Sequence, residues 1–420
     1  MVYYDFVIIG AGISGLNTGI GLLKKYPDRK VAIIEQNSRT GGRVYTDKVK
    51  VKGKYFRYDA GAGRFSNTHH RVLGLIKKYS LESKMFKIGK GYNSIVTKKY
   101  GKTIHFENAD EIIDALIKKS KDFPDKKLES MTFKEFCAMV YDSNVANFLE
   151  NMYPYYSEIV LVNAKLAIQV FKKDLGHNKT YYVLGGGLSQ ITDNLTREFK
   201  SMGGILRLNT SLNSFTKTVD NFQLQLEKSD GSYVKCNCEK LILGVPGNVL
   251  KELEYMKMKY SNELDSLECQ PLLRIYNMYP KSEDTGKVWF QDIPRTITDS
   301  KIKYIIPINY DEGSIMISYT DGPNANYWNS VPESELNTKL HSEVAKLYPE
   351  IGSIPKAVFS KKYYWSTGAC YFKKGFDYKV IQNKMINPES NLFLCGDSFS
   401  DNQAWMEGAL QTSEKLLKKI

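Results

Sequence analysis

The 420 residues carry 59 lysines and arginines against 46 aspartates and glutamates, a formal net charge of +13 at pH 7, with 42% hydrophobic and 25% charged residues. That balance is ordinary for a soluble globular chain and argues against disordered, fibrous and repeat classes. The length exceeds one simple core and predicts two domains, or one interrupted by another.

No apolar run reaches the roughly 18 residues that a spanning helix needs. The N-terminus opens on a strand rather than on a charged and then apolar leader, so the expectation is a cytosolic protein with no membrane partner. The lysines are spread along the chain (Lys24, Lys25, Lys48, Lys50, Lys361, Lys362, Lys418, Lys419), and no basic block interleaves with aromatics, which predicts a solvated basic surface and no nucleic-acid partner. A positive field of this kind weakly disfavours the approach of a polycation such as a polyamine. The six cysteines (Cys137, Cys236, Cys238, Cys269, Cys370, Cys395) have no disulfide or metal spacing, so reduced thiols and no metal site are expected; Cys236-Asn237-Cys238 reads as strand alternation.

In chain order, the first signal is Asp5-Phe6-Val7-Ile8-Ile9-Gly10-Ala11-Gly12-Ile13-Ser14-Gly15-Leu16, followed by Val31-Ala32-Ile33-Ile34-Glu35. An apolar strand breaks into glycines at G-x-G-x-x-G spacing, passes through an apolar-periodic helix and reaches a second strand ending in an acid, the pattern of a dinucleotide-binding βαβ unit. Gly10 permits the tight turn, Gly12 lets backbone approach a pyrophosphate, and Gly15 lets the helix pack close to the strand. The first helical turn, Ser14 included, presents free N–H groups and the positive end of its dipole to phosphate. Glu35 is placed to accept hydrogen bonds from ribose hydroxyls. Gly41-Gly42-Arg43 then sets flexible backbone and a bidentate cation beside the phosphates.

From about Leu81 to Tyr181 helical patterns dominate: Ala109 to Ser120, Thr132 to Val140 with a Thr132/Glu135 capping box, and Asn144 to Met152. No catalytic constellation is visible in that stretch. Gly185-Gly186-Gly187 opens a helix with Leu188, Ile191, Leu195 and Phe199 on its apolar face. Strands follow at Ile205 to Leu208 and Lys240 to Val245, with a hairpin between them from Phe222 to Glu227 and Ser232 to Cys236. Further strands begin at Leu272, Tyr304 and Ile315, and a helix runs from Glu333 to Leu347.

The segment around Gly41-Gly42-Arg43, the turn Tyr58-Asp59-Ala60-Gly61-Ala62-Gly63-Arg64, the aromatic run Tyr363 to Phe372, and Cys395-Gly396-Asp397 with Trp405-Met406-Glu407-Gly408-Ala409 together resemble the flavin-containing amine oxidases. The resemblance runs nearly the whole chain. It implies an α/β fold with a discontinuous, Rossmann-like FAD-binding domain (1–80, 182–255 and 380–420). An α+β substrate domain with an antiparallel or mixed sheet and a helical insertion would take 81–181 and 256–379.

It further implies FAD held by the Gly10 to Gly15 turn, Glu35, Gly42, Arg43, Gly61, Ala62, Gly396, Asp397, Trp405, Met406 and Ala409. The last helix would face the flavin ring with its N-terminus. Trp405 and Tyr371 correspond to the walls of an aromatic cage, and Arg64 to an arginine that clamps a substrate carboxylate in L-amino-acid oxidases or serves a structural purpose in other members. Arg274 stands where many members carry a lysine that reaches toward flavin N5 through water; an arginine stabilises a reduced anionic flavin but cannot act as a base, which puts oxygen as acceptor in question. Cys370-Tyr371 matches the dipeptide that carries flavin covalently in monoamine oxidases, although non-covalent FAD is expected. His69 and His70 are expected to cap or pack.

The implied activity is hydride transfer from the carbon bearing an amine, in a primary amine or L-amino acid, to flavin N5, giving an imine and hydrogen peroxide. A related flavin desaturase of the protoporphyrinogen or carotenoid type, and a redox-silent FAD-binding protein, remain as alternatives.

Overall fold

The computed structural model describes residues 2–88, 91–100, 104–173 and 180–420. At its centre Val2–Ile9 runs parallel to Val31–Ile34 on one side and to Tyr233–Leu243 on the other. Ile205–Arg207 extends the sheet beyond Val31–Ile34, and Leu392–Leu394 pairs in parallel with Leu241 to Leu243. Strands covered on both faces need apolar residues at consecutive positions, which is why these segments read as unbroken hydrophobic runs rather than alternations. The helices Ile13–Lys25, Ser189–Ser201 and Met406–Leu417 supply the cover, and Ile8, Leu16, Ile20, Ile33, Leu195, Phe199 and Leu410 share one core.

Two features of this sheet differ from the sequence expectation. The arm Ser232 to Cys236 and the strand Lys240 to Val245 are one continuous strand, Tyr233–Leu243. Its first half pairs antiparallel with Phe222–Lys228 and its second half parallel with Val2–Ile9. Thr210–Lys217, unpredicted, pairs antiparallel with Phe222–Lys228; a register shift between Leu212 and Ser214 breaks the two-residue alternation that reveals a strand. Cys236 and Cys238 are buried on alternate positions as expected.

The second sheet runs in the order Phe359–Phe372, Leu267–Met278, Ser314–Asp321, Tyr304–Asn309, Thr296–Thr298 and Asn93–Ile95. All its neighbours are antiparallel except the last pair, which is parallel. Glu333–Leu347 packs on it through Leu336, Leu340 and Val344, together with Trp328 from the helix Gly322–Ser330.

The helical stretch contains Ala109–Lys119, Phe133–Val140, Ser143–Met152, Tyr156–Val160 and Ala164–Lys173. The Thr132/Glu135 capping box forms, each side chain bonding the other's backbone N–H. Asp321, at the end of a strand of the second sheet, accepts hydrogen bonds from the Tyr156 N–H, the Ser157 N–H and the Ser157 hydroxyl. That carboxylate fixes the short helix Tyr156–Val160 against the sheet and so orients Glu158.

The register between Leu267–Met278 and Phe359–Phe372 places Cys269 opposite Cys370, and the two form a disulfide. This corrects the expectation that all six cysteines are reduced thiols. The pairing joins residues 101 positions apart, so no local spacing announces it.

Candidate active site

A cavity of about 520 Å³ extends from the Gly10 to Gly15 turn, past Arg43, to Tyr371 and Trp405. At the first end three glycines do three different things. Gly10 has φ +102°, and a Cβ on it would lie 2.5 Å from the Gly244 carbonyl oxygen. A Cβ on Gly15 would lie 2.0 Å from the Gly10 carbonyl oxygen, so the helix sits where only a hydrogen atom fits. Gly12 has extended backbone (φ −70°, ψ 176°), lines the cavity, and would present a Cβ to nothing within 4 Å.

That open side adjoins Ile13 and Ser14 in the first helical turn, which also line the cavity. Gly42 closes over Gly12, with room for a Cβ only 3.3 Å from the Gly12 Cα. The Glu35 carboxylate is buried; it accepts from the Ala11 N–H at 2.8 Å, the Asn37 N–H at 2.9 Å and Asn37 Nδ2 at 2.6 Å. With roughly four lone-pair sites on a carboxylate, capacity remains for a hydroxyl donor.

In the middle of the cavity Arg43 and Asp397 form an ion pair, and Arg43 Nη1 also donates to the Gly368 carbonyl at 3.0 Å. The sequence sets Arg43 beside the phosphates and names Asp397 only among the residues that would hold FAD; here each is the other's partner. The turn Gly61-Ala62 packs on the Arg43 backbone, where the Ala62 N–H donates to the Arg43 carbonyl at 2.9 Å and a Gly61 Cβ would overlap that same oxygen at 1.9 Å. Gly396 (φ +129°) lines the same region, with open space beside its Cα. The helix Met406–Leu417 begins at the cavity wall, lined by Trp405, Met406 and Ala409, so two helix N-termini face the cavity.

At the far end the walls are aromatic and charged. Arg64 donates from Nη2 to the Tyr155 hydroxyl at 2.9 Å and lies 4.9 Å from the Tyr181 ring centre and 5.8 Å from that of Trp405. Arg274 is buried on its strand: Nη1 donates to the Asp59 carbonyl at 2.7 Å, the guanidinium lies 4.5 Å from the Tyr319 ring centre, and Nε has no partner among the described residues. Gly63 makes room for it, since a Cβ there would come within 2.5 Å of Nη1. His69 sets its ring edge-on to Trp405 at 4.7 Å and accepts from the Ser66 N–H, a packing and positioning role as expected.

The outer strand of the second sheet supplies a wall through Trp365, Gly368, Ala369 and Tyr371. Because side chains alternate along a strand, Cys370 faces the other way, toward Cys269 and Gly247. The Cys370 sulfur is thus engaged with Cys269 rather than set on the cavity wall.

Glu158 also lines the cavity, and with Tyr371 and Trp405 it lines a recess of about 10 Å³ completed by Val162, Leu166, Ala167, Val170, Asp401 and Gln403. The Tyr371 hydroxyl lies 3.4 Å from Glu158 Oε1, while Oε2 is buried without a partner among the described residues. Burial, reinforced by the Asp321 charge, pushes the Glu158 carboxyl up to about 8; the Tyr371 hydrogen bond and the Arg64 charge pull it the other way.

Residues 13–415 match the family model for flavin-containing amine oxidoreductases. The chain belongs to that family. It is 23% identical to an uncharacterised protein of Acanthamoeba polyphaga mimivirus, over 99% of this chain and 93% of that one. It is 24% identical to an L-amino-acid oxidase of Siganus canaliculatus, over 99% of this chain and 84% of the relative. Among solved structures, putrescine oxidase bound to putrescine superposes with a TM-score of 0.76 at 16% identity, over 100% of this chain and 99% of that chain. At that identity the likeness establishes the fold.

For an amine oxidoreductase of this family, the expected site residues come together: of those named from sequence only Gly15 lies off the cavity wall, where its part is packing. Sequence reasoning missed others. Arg39 lies 4.0 Å from the Tyr45 ring centre and donates to the Thr40 and Gly42 carbonyls beside the pyrophosphate end; a cation so close to paired glycines was the available signal. Tyr155 and Glu158 come from the helical stretch in which no catalytic constellation was visible. No local pattern marks them, because Asp321, far along the chain, sets their position.

Proposed function

We propose that the chain is an FAD-dependent amine oxidase that takes a primary amine or L-amino acid. The observation that carries this reading is the joining, in one cavity, of a pyrophosphate cradle at Gly12 to an aromatic end at Tyr371 and Trp405. The residues present fit FAD: Gly12 leaves its side open, two helix N-termini face the space, and Glu35 keeps an unused acceptor site. The cofactor, when bound, supplies the hydride acceptor, N5 of its ring.

The rest falls to this chain's own side chains. The first turn of Ile13–Lys25 receives the pyrophosphate, Glu35 the ribose, and the Arg43–Asp397 pair opens to share its donors and acceptors with the remaining oxygens. Tyr371 and Trp405 exclude water and so favour the neutral amine over the ammonium form, which has no lone pair to assist loss of hydride. Arg274 contributes a fixed positive charge and no basicity. The product is an imine that water hydrolyses, with hydrogen peroxide when oxygen is the acceptor.

The names of two relatives, an L-amino-acid oxidase and a putrescine oxidase, support a small amine or amino-acid substrate. Non-covalent FAD is part of the proposal, as is the division into an FAD domain (1–80, 182–255, 380–420) and a substrate domain (81–181, 256–379). The cytosolic expectation is not carried forward, because a disulfide such as Cys269–Cys370 is uncommon in reducing compartments. No described helix is long and apolar enough to cross a membrane.

The test is a peroxidase-coupled assay on FAD-loaded protein with amines, L-amino acids and unsaturated apolar compounds. Peroxide with an amine or amino acid is expected; reduction only by unsaturated apolar compounds supports the desaturase reading instead. Yellow colour retained by an acid-precipitated pellet would reject non-covalent binding.

A further inference from the structure

The cavity holds one acidic group that the proposed chemistry leaves unused. Asp321, also on the cavity wall, has both oxygens engaged by the helix Tyr156–Val160, through the Tyr156 N–H, the Ser157 N–H and the Ser157 hydroxyl. Glu158 does not: one oxygen has a long contact with the Tyr371 hydroxyl and the other has no partner among the described residues. A buried acceptor without a donor costs free energy that a ligand can recover.

The chemistry of that ligand is constrained by two features. A carboxylate with spare acceptor capacity suits an ammonium donor. The nitrogen being oxidised must, however, be neutral, and a carboxylate beside it would hold it in the unreactive charged form. The cation for Glu158 is therefore a different nitrogen of the same molecule. The recess beyond Tyr371, only about 10 Å³, is too small for an alkyl chain, so the methylenes between the two nitrogens lie in the main cavity, whose wall Glu158 shares with Tyr371 and Trp405.

We propose that Glu158 binds a second, non-reacting ammonium group, so that the preferred substrates are amines with two cationic nitrogens, either diamines or basic amino acids. The proposal rests on the amine-oxidising reading above. The overall charge of +13 slows the approach of such cations without deciding their local binding.

Around Glu158 stand Asp321, Arg64 and the phenols of Tyr153, Tyr155 and Tyr371. The carboxyl, pushed up to about 8, is mostly protonated at neutral pH, so a bound ammonium displaces that proton into solution.

The experiment compares an α,ω-diaminoalkane with the n-alkylamine of the same length, and L-lysine with L-norleucine, by anaerobic reduction of the FAD-loaded enzyme and of its E158Q variant. The expected result is a preference of about tenfold or more for the dicationic member of at least one pair, lost in E158Q mainly through the apparent Kd. The pair that shows it identifies the source of the second nitrogen. Equal behaviour of both members in the native enzyme overturns this proposal and leaves amine oxidation standing; no reduction by any of the four overturns both.

If E158Q fails to fold, calorimetry of the native enzyme decides. Near pH 7, in buffers of different ionisation enthalpy, the diamine should release about one proton more than the monoamine. No difference would reject the role of Glu158.

Discussion

Replacing Gly12 and Gly15 by alanine separates the cofactor site from the scaffold that carries it. In Gly12→Ala the new methyl meets no protein atom within 4 Å, and the backbone at φ −70° and ψ 176° suits any residue. A glycine-to-alanine change in a compatible conformation stabilises by about 0.4–1 kcal/mol through the unfolded chain, so the apoprotein should melt no lower than the native one. The methyl, however, stands where the pyrophosphate must approach. In Gly15→Ala the methyl would lie 2.0 Å from the Gly10 carbonyl oxygen and 3.4 Å from Ile8 Cγ2. Backbone meets backbone there, so the helix must shift, at the roughly 1–3 kcal/mol typical of overpacking.

The assay is the melting temperature of each apoprotein beside an FAD titration followed by flavin fluorescence. Gly12→Ala should keep its melting temperature and lose about tenfold or more in FAD affinity, at about 1.4 kcal/mol per decade. Gly15→Ala should lose both. Native FAD affinity in Gly12→Ala, or an unchanged melting temperature in Gly15→Ala, would refute the reasoning.

Four further outcomes follow from the geometry. Arg64→Ala should raise KM for L-amino acids far more than for simple amines if Arg64 receives a carboxylate; an equal rise would reject that role and leave it a packing cation among Tyr155, Tyr181 and Trp405. The Arg43–Asp397 pair is mostly buried, so Arg43→Met should cost about 3 kcal/mol by stranding the aspartate, and the double variant with Asp397→Asn should recover part of it, as measured by denaturant unfolding. Glu158 is held near 8 when folded against 4.5 when unfolded, so folding of the native apoprotein is increasingly opposed as pH rises between those values. The melting temperature of E158Q relative to native should therefore be near zero difference at about pH 4.5, climb with pH, and level off above about pH 8. Finally, thiol titration of protein unfolded without reductant should find Cys137, Cys236, Cys238 and Cys395 reactive and Cys269 and Cys370 silent.

The parts legible in the sequence are those whose physics is local. The strand, glycine turn and helix from Val2 to Lys25 announce themselves because each glycine answers a constraint within a few residues. The buried parallel strands show as continuous apolar runs, and the Thr132/Glu135 capping box spans three positions. What stayed hidden depends on pairings the fold alone creates. Arg43 meets Asp397 across 354 positions, Asp321 caps the Tyr156 helix across 165, and Cys269 meets Cys370 across 101. Glu158 is the plainest case: an isolated acid in a helical stretch, made unusual only by the walls brought around it. The dipeptide Cys370-Tyr371 shows the complementary limit: a motif match carries no information about which face of a strand each residue takes, and here Cys370 pairs with Cys269 while Tyr371 lines the cavity.

Anaerobic titration of the FAD-loaded enzyme with a panel of amines and L-amino acids decides whether Tyr371 and Trp405 wall an amine-oxidising flavin site. The oxidised flavin's visible absorbance should bleach with one or more of them, at one equivalent of imine-derived carbonyl product per flavin. A flavin that stays oxidised with every amine and amino acid would contradict that assignment.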